Sequence, residues 1–166
     1  VDGGTVKLDG NYPVGTDNVA LGDTALDSVE AGAERNVAIG DKAGTAITTG
    51  NNNTAIGTEA LKSNTTALNN TAIGYASLCT NSTGAGNTAV GQSALCANTT
   101  ASNNTAVGIE SLDANTTGAS NTALGKGSLS ANTTASNNTS VGFNSLTSNT
   151  TGANNAAVGK SSMGSN

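Results

Sequence analysis

Two cysteines, Cys79 and Cys96, carry the most reactive side chains of the chain, and they lie 17 positions apart. If the chain stacks on itself with that period, neighbouring strands place their Cα atoms about 4.8 Å apart. This separation falls within the range of about 4.4–6.8 Å that a disulfide requires. A Cys79–Cys96 disulfide, formed in an oxidising compartment, is therefore one expectation. The alternative is a pair of free thiols in a row that also holds Lys62 and Asp113.

Asparagines in N-x-S/T sequences are the second chemical feature, because this sequence is the acceptor for N-linked glycans. Six of them recur every 17 residues, and five more lie elsewhere in the chain. The candidates are Asn64, Asn81, Asn98, Asn115, Asn132, Asn149, Asn52, Asn69, Asn103, Asn137 and Asn138. The functional interpretation is a row of glycans along one edge of a rod. The structural alternative is a ladder of stacked side-chain amides that hydrogen-bond to one another.

Adjacent threonines follow the recurring asparagine, and they suggest a minor alternative, a flat ice-binding array. The two rows are Thr66, Thr83, Thr100, Thr117, Thr134 and Thr151, with Thr65, Thr99, Thr116, Thr133 and Thr150 beside them. In solenoids that bind ice, however, threonines occupy alternate outward positions of one strand. Here the two threonines are adjacent, so the array is the weaker interpretation.

Nothing in the sequence indicates an enzyme. The chain has no histidine, and it contains no serine-based motif, P-loop or paired carboxylates at a spacing suited to a pocket. Asp41 and Glu59 are interpreted as part of a solvated face, and no calcium-binding loop pattern occurs. No cofactor or metal is expected. The net charge of −5 argues against nucleic acid, and no apolar run approaches the roughly 20 residues of a membrane helix.

These side chains are positioned by a repeat that opens with asparagine. Nine repeats are present; the first is 18 residues long and the next seven are 17. They begin at Asn18, Asn36, Asn53, Asn70, Asn87, Asn104, Asn121, Asn138 and Asn155. A fixed period of this size predicts stacked structural units that share one core. The predicted domains are a solenoid over residues 18–166 and an N-terminal segment over residues 1–17, which serves as a cap or as an inter-subunit strand.

Within each repeat, positions are counted from the opening asparagine. Position 5 is always glycine, which predicts a corner where the backbone has positive φ or no room for a Cβ atom. These corner glycines are Gly22, Gly40, Gly57, Gly74, Gly91, Gly108, Gly125, Gly142 and Gly159.

The predicted core consists of the branched aliphatic residue at position 4 and the leucine at position 9. The position-4 residues are Leu21, Ile39, Ile56, Ile73, Val90, Val107, Leu124, Val141 and Val158; the leucines are Leu26, Leu61, Leu78, Leu95, Leu112, Leu129 and Leu146. Since side chains alternate along a strand, the alanine at position 3 is predicted to point outward, where another chain could approach closely.

A parallel β-solenoid of about nine 17-residue coils, with two short strands and two corners in each coil, fits this pattern. Asparagine, threonine and glycine are poor helix formers, which argues against a helical repeat. Two larger apolar side chains per coil form a small core, so we expect further stabilisation from asparagine ladders or from other copies of the chain. A homo-oligomer is therefore predicted.

The phrase Asn-x-Ala-[Val/Ile/Leu]-Gly resembles the head repeats of trimeric autotransporter adhesins, the YadA-like heads. The longer phrase from Asn104 to Thr117 is similar to repeats of phage tail fibres and bacterial surface fibres. The resemblance covers residues 18–166. It implies a left-handed β-roll, a trimer, and a location on the cell surface or on a virion. The repeat is longer than that of the adhesin heads.

The expected function is that of a non-enzymatic extracellular rod, a segment of an adhesin-like or tail-fibre-like filament. The alternative is a receptor-binding head, with specificity in the irregular stretches 23–35 and 41–52. The expected partners are other copies of the chain, as a trimer or a filament, together with glycans or a host surface receptor.

Overall fold

The computed structural model describes residues 6–7 and 15–164, and in these ranges the chain forms one ten-stranded sheet with no helix. The strands follow one another in chain order. They are β1 (Val6–Lys7), β2 (Val19–Leu21), β3 (Val37–Ile39), β4 (Thr54–Ile56), β5 (Thr71–Ile73), β6 (Thr88–Val90), β7 (Thr105–Val107), β8 (Thr122–Leu124), β9 (Thr139–Val141) and β10 (Ala156–Val158).

Strands β2 to β10 are parallel, and each pairs with the equivalent residues of the next coil, so that Thr105 pairs with Thr122 and Val107 with Leu124. The predicted parallel β-solenoid is confirmed. The short strand β1 pairs antiparallel with β2. Of the N-terminal segment, residues 1–5 and 8–14 lie outside the described residues.

Each coil contains one strand of three residues, at positions 2 to 4, and the prediction of two strands per coil is wrong. The second half of the coil is a series of turns in which positions 7 and 9 have left-handed backbone conformation. The position-9 leucines have φ between 51° and 53°. Leucine rarely adopts this conformation, so residue types alone do not predict the turn. Neighbouring coils hold it through backbone hydrogen bonds such as Leu95 N–H to Ser111 O (3.0 Å).

Position 5 combines both reasons for requiring glycine. The nine corner glycines have φ between 122° and 136°. From Gly22 to Gly142, a Cβ atom would also lie 2.4–2.8 Å from the carbonyl group of the next corner glycine. The corners of successive coils therefore stack backbone on backbone.

The predicted faces of the strand are reversed. Position 3, not position 4, points into the coil: Ala20, Ala38, Ala72 and Ala106 have no exposed surface. Ser140 occupies this position in the eighth coil, and its hydroxyl donates to Ser145 O at 2.8 Å inside the coil. The alanine row is therefore not an inter-chain face.

Position 4 is consequently an outer row, and its assignment to the core is wrong. The members of this row are half-exposed or exposed: Leu21, Ile39, Ile56, Ile73, Val90, Val107, Leu124, Val141 and Val158. A coil with a single three-residue strand is too narrow to hold two branched side chains opposite each other. Alanine is the side chain that fits opposite leucine.

The leucines at position 9 fill the core, where Leu61, Leu78, Leu95, Leu112, Leu129 and Leu146 are fully buried. The second coil has Gly44 at this position, and Ile47, which is 1 % exposed, supplies the missing apolar volume. A Cβ atom on Gly44 would lie 3.0 Å from the Ile47 Cδ1 atom. The exception to the leucine row is thus compensated within the same coil.

Candidate functional site

Two asparagine ladders run through the interior beside the leucine core. In the ladder at position 12, the side-chain amides from Asn81 to Asn149 donate to the Oδ1 atom of the preceding coil, as from Asn98 to Asn81 (2.8 Å) and from Asn115 to Asn98 (3.0 Å). Each amide also donates to the position-15 carbonyl of its own coil, as from Asn98 to Ala101 (3.0 Å). The ladder satisfies polar groups that no water reaches.

The ladder at position 1 shares the same acceptors. Asn87 Nδ2 donates to Ala101 O at 2.8 Å, and its Oδ1 accepts from the backbone N–H of Asn104 at 3.0 Å. In coils three to seven, each position-15 carbonyl is thus held between two amides. An asparagine opens every repeat, and this constancy was the signal that could have revealed the ladder.

Seven of the predicted glycan acceptors belong to these ladders, and their prediction as glycan sites is wrong. Asn64, Asn81, Asn98, Asn115, Asn132 and Asn138 have no exposed surface, and Asn149 is 4 % exposed. A sugar attached to any of these buried nitrogens would have no space inside the closely packed coil. Asn52, Asn69, Asn103 and Asn137 are exposed at position 17 with φ of 58–62°, and their glycosylation stays a prediction.

The two threonine rows differ in exposure, so they do not form one outward array. At position 13 the hydroxyls donate hydrogen bonds to the backbone of the next coil, as from Thr99 Oγ1 to Thr116 O (3.2 Å). The row at position 14, from Thr66 to Thr151, is exposed. Only one of the two rows is therefore presented fully to solvent.

Position 10 brings four side chains with chemical potential into one row along coils three to six, which we call the position-10 row: Lys62, Cys79, Cys96 and Asp113. Cys79 and Cys96 are free thiols whose Sγ atoms are 2.7 Å apart. The predicted closeness of the two cysteines is confirmed, and their oxidation to a disulfide stays a prediction.

The ends of the position-10 row carry opposite charges. Lys62 Nζ lies 3.0 Å from Glu59 Oε2, and this hydrogen bond raises the pKa of Lys62. At the other end, burial raises the pKa of Asp113, whose Oδ1 atom has no hydrogen-bond partner. Lys62 and Asp113 therefore flank the thiols with a cation on one side and a carboxyl group on the other.

The two thiols differ in acidity because one donates to the other. Either thiol can donate in this hydrogen bond. With Cys79 as the donor, the bond lowers the pKa of Cys96 to about 7 and raises the pKa of Cys79 far above its ordinary range. Cys96 is the more accessible of the two. The pair can lose two protons and two electrons to an external disulfide or oxygen and form an S–S bond, with Cys96 as the attacking thiolate.

We expect alkylation of Cys96 by iodoacetamide to follow this acidity, with a rate that rises through a midpoint near pH 7. A Cys79→Ala substitution removes the hydrogen-bond donor, so the midpoint should rise toward the value of about 8.5 for a free cysteine. Peptide mass spectrometry after timed labelling measures the rate at each pH. A midpoint near 8.5 in the unsubstituted protein, unchanged by Cys79→Ala, would contradict the inferred thiol pair.

Other chemistry finds little support among residues 6–7 and 15–164. No group of three or more metal-binding side chains occurs there. No helix in these ranges is long and apolar enough to cross a membrane. A shallow depression near the last coil is lined by uncharged residues, among them Asn144, Thr147 and Ser161.

Comparisons with family models, with curated proteins and with solved structures give no match for this chain.

Proposed function

We propose that this chain is a non-enzymatic structural rod, a segment of an extracellular fibre of the adhesin or tail-fibre kind. The observation that supports this most is the uninterrupted register of β2 to β10, in which every coil adds the same strand, corner and ladder contacts. Nine stacked strands separated by about 4.8 Å give a length of about 38 Å. A fibre built this way gains length by adding coils, without a new fold.

The surface supports the same proposal. Charged residues make up 10 % of the chain, and the exposed rows are mainly threonine, asparagine and aliphatic side chains. Internal hydrogen bonds run from coil to coil, so that pulling or heating one coil is resisted by both neighbours. The disulfide predicted for the position-10 row would join coils four and five in an oxidising compartment outside the cell.

A receptor-binding head is the second candidate, and position 6 is the observation in its favour. This is the row in which exposed side chains change most from coil to coil: Asp23, Asp41, Thr58, Tyr75, Gln92, Ile109, Lys126, Phe143 and Lys160. A binding surface requires such variation, whereas a uniform rod does not. On this alternative the coils are a scaffold and the position-6 row carries the specificity.

Changing the number of coils tests the rod. Deletion of residues 87–120 removes two whole coils, and we expect a folded protein that is shorter by about 9.6 Å in small-angle X-ray scattering. Electron microscopy should show rods or filaments in both cases. Compact particles whose longest dimension does not change would refute the proposal.

A one-coil deletion is the matched control, because alternate coils differ. Ala85 N–H donates to Ser102 Oγ and Ala119 N–H to Ser136 Oγ, each at 3.0 Å. Deletion of residues 87–103 places Ala85 beside Ala119 and removes this bond, whereas the two-coil deletion keeps it. The one-coil deletion should therefore melt at a lower temperature than the two-coil deletion.

A further inference from the structure

The outer face of the sheet carries an apolar strip that nothing in the protomer covers. We call the side chains at positions 4 and 6 of all coils the outer strip. At position 4, Ile39, Ile73, Val107 and Leu124 are 37–38 % exposed. The position-2 row beside it is uncharged and consists of threonine in coils three to eight. Contiguous apolar surface of this kind marks an interaction site more often than a solvated face.

Position 6 extends the strip with larger side chains in alternate coils. Tyr75, Ile109 and Phe143 are 56, 43 and 46 % exposed. At the end of this row, Lys160 Nζ lies over the Phe143 ring, 5.9 Å from its centroid.

Charge is distributed unequally along the outer strip and its corner. In coils one to three, positions 6 and 7 hold Asp23, Asp41, Lys42 and Glu59, a net charge of −2 (three acidic, one basic). In coils seven to nine the same positions hold Lys126 and Lys160, a net charge of +2. The middle coils contain one charge at these positions, Glu110. One end of the strip is acidic and the other is basic.

We propose that two copies of this chain pack face to face through the outer strip, with their axes antiparallel and coil five at the centre. The dimer goes beyond the proposed rod, and either proposal can be wrong while the other is right. A two-fold axis along the strands places coil one opposite coil nine and position 6 opposite position 6. Asp23 then faces Lys160, and Tyr75 faces Ile109. Thr58 faces Lys126, while Glu59 beside it is paired with Lys62 of its own chain. Asp41 faces Phe143.

The other symmetric arrangement places the two-fold axis along the rod. It turns position 6 of one copy toward the uncharged position-2 row of the other copy, so that no charge meets an opposite charge. Exposed ion pairs contribute little affinity, but they select orientation and register. The aliphatic strip thus provides the attraction, and the charges favour the antiparallel pair.

The area of the strip suits a dimer of moderate affinity. The face from the position-2 row to the position-6 row is about 38 Å long and about 13 Å wide, and it buries about 500 Å² on each copy. The total of about 1,000 Å² lies at the lower limit of specific interfaces. Flat aliphatic rows related by the two-fold axis can interdigitate, because each row repeats at the same spacing.

The first test is the mass in solution. Sedimentation velocity over a concentration series should give a species of twice 15.9 kDa. Val90 lies at position 4 of the central coil and would face its own copy. Val90→Lys therefore opposes two like charges, and we expect about a hundredfold weaker dimerisation. Thr100→Lys, at an exposed site on position 14 of the same coil, is the matched control and should leave the dimer intact.

The second test reads the orientation. In a Cys79→Ser, Cys96→Ser background, Thr58→Cys chains are mixed with Lys126→Cys chains that carry a tag, and a short bis-maleimide is added. The antiparallel dimer predicts products that join one chain of each kind and little joining of two Thr58→Cys chains, because four coils, about 19 Å, separate the latter. Gln92→Cys, at position 6 of the central coil, should join to itself.

Three outcomes would overturn the antiparallel dimer: a monomer at all concentrations, a trimer, or efficient joining of Thr58→Cys to itself. A folded Val90→Lys monomer, shown by an unchanged circular dichroism spectrum, separates loss of the interface from loss of the fold. If the unsubstituted protein is a monomer and the two-coil deletion still shortens it, the rod proposal survives and the antiparallel dimer does not.

Discussion

Gly108→Ala is expected to destabilise the protein by at least about 4 kcal/mol or to prevent folding, from two effects that add. With φ of +134°, Gly108 occupies a conformation that is closed to residues with a Cβ atom. The added carbon would also lie 2.6 Å from the Gly125 carbonyl carbon and 2.8 Å from Lys126 N. Both contacts are with backbone, so relief requires coils six and seven to separate.

Gly86→Asn is the control for this substitution. Gly86 has φ of 69° at position 17, where Asn69 and Asn103 have φ of 60° and 62°. Asparagine tolerates this conformation, so the change should cost less than about 1 kcal/mol. Urea denaturation of both variants measures the difference. A loss below 1 kcal/mol for Gly108→Ala would contradict the stacked corner.

Asn98→Ala is expected to cost about 3–4 kcal/mol, although it removes a polar side chain from the interior. The substitution removes the hydrogen-bond donor to Asn81 Oδ1 and one of the two donors to Ala101 O. It also removes the acceptor for Asn115 Nδ2. Each buried group left unsatisfied costs about 1–3 kcal/mol. The effect spreads over three coils because each amide is both donor and acceptor.

Asn103→Gly is the matched control within the same coil. Asn103 is exposed at position 17, and coil four has Gly86 at the equivalent site. We therefore expect a loss of less than about 1 kcal/mol. Thermal and urea melts compare the two variants. Equal stability of Asn98→Ala and Asn103→Gly would show that the ladder contributes nothing to the fold.

Much of the architecture could be predicted from the period alone. A constant glycine at position 5 implied a corner, and stacking at 17 residues brought Cys79 and Cys96 together. The repeat also contained the two-coil period, in which Ala67 and Gly84 alternate at position 15. The structure gives this alternation a physical reason, since a Cβ atom on Gly84 or Gly118 would overlap the backbone oxygen of Ala101 or Ala135 in the next coil.

The direction of the strand faces could not be predicted in the same way. Alternation shows that Thr105 and Val107 share a face and that Ala106 points the opposite way, but it does not say which face is inside. Hydrophobicity favours valine as the core residue. The size of the coil decides otherwise, because the opposite wall is already filled by Leu112 and the asparagines. That wall depends on leucine residues in the left-handed backbone conformation, which residue propensities do not predict.

The choice between glycan site and amide ladder could not be made from the sequence for a related reason. Asn98-Thr99-Thr100 reads equally well as a glycan acceptor and as a ladder, because acceptor sequences depend on residue type and not on burial. The decisive fact is the position-15 carbonyl of Ala101, which both ladders approach. Asn87 lies 14 residues before Ala101 in the chain, and Asn98 lies 3 residues before it. That both side chains reach the same carbonyl becomes apparent only when the path of the coil is known.

The most direct test of the account is the solvent exposure of two adjacent side chains in β7, measured as the rate of thiol labelling. Ala106→Cys and Val107→Cys are made separately in a Cys79→Ser, Cys96→Ser background and treated with a maleimide under native conditions. Ala106 is fully buried and Val107 is 38 % exposed, so we predict that Val107→Cys reacts rapidly and Ala106→Cys reacts only after unfolding. Rapid reaction at position 106 with protection at position 107 would contradict the fold described for this chain.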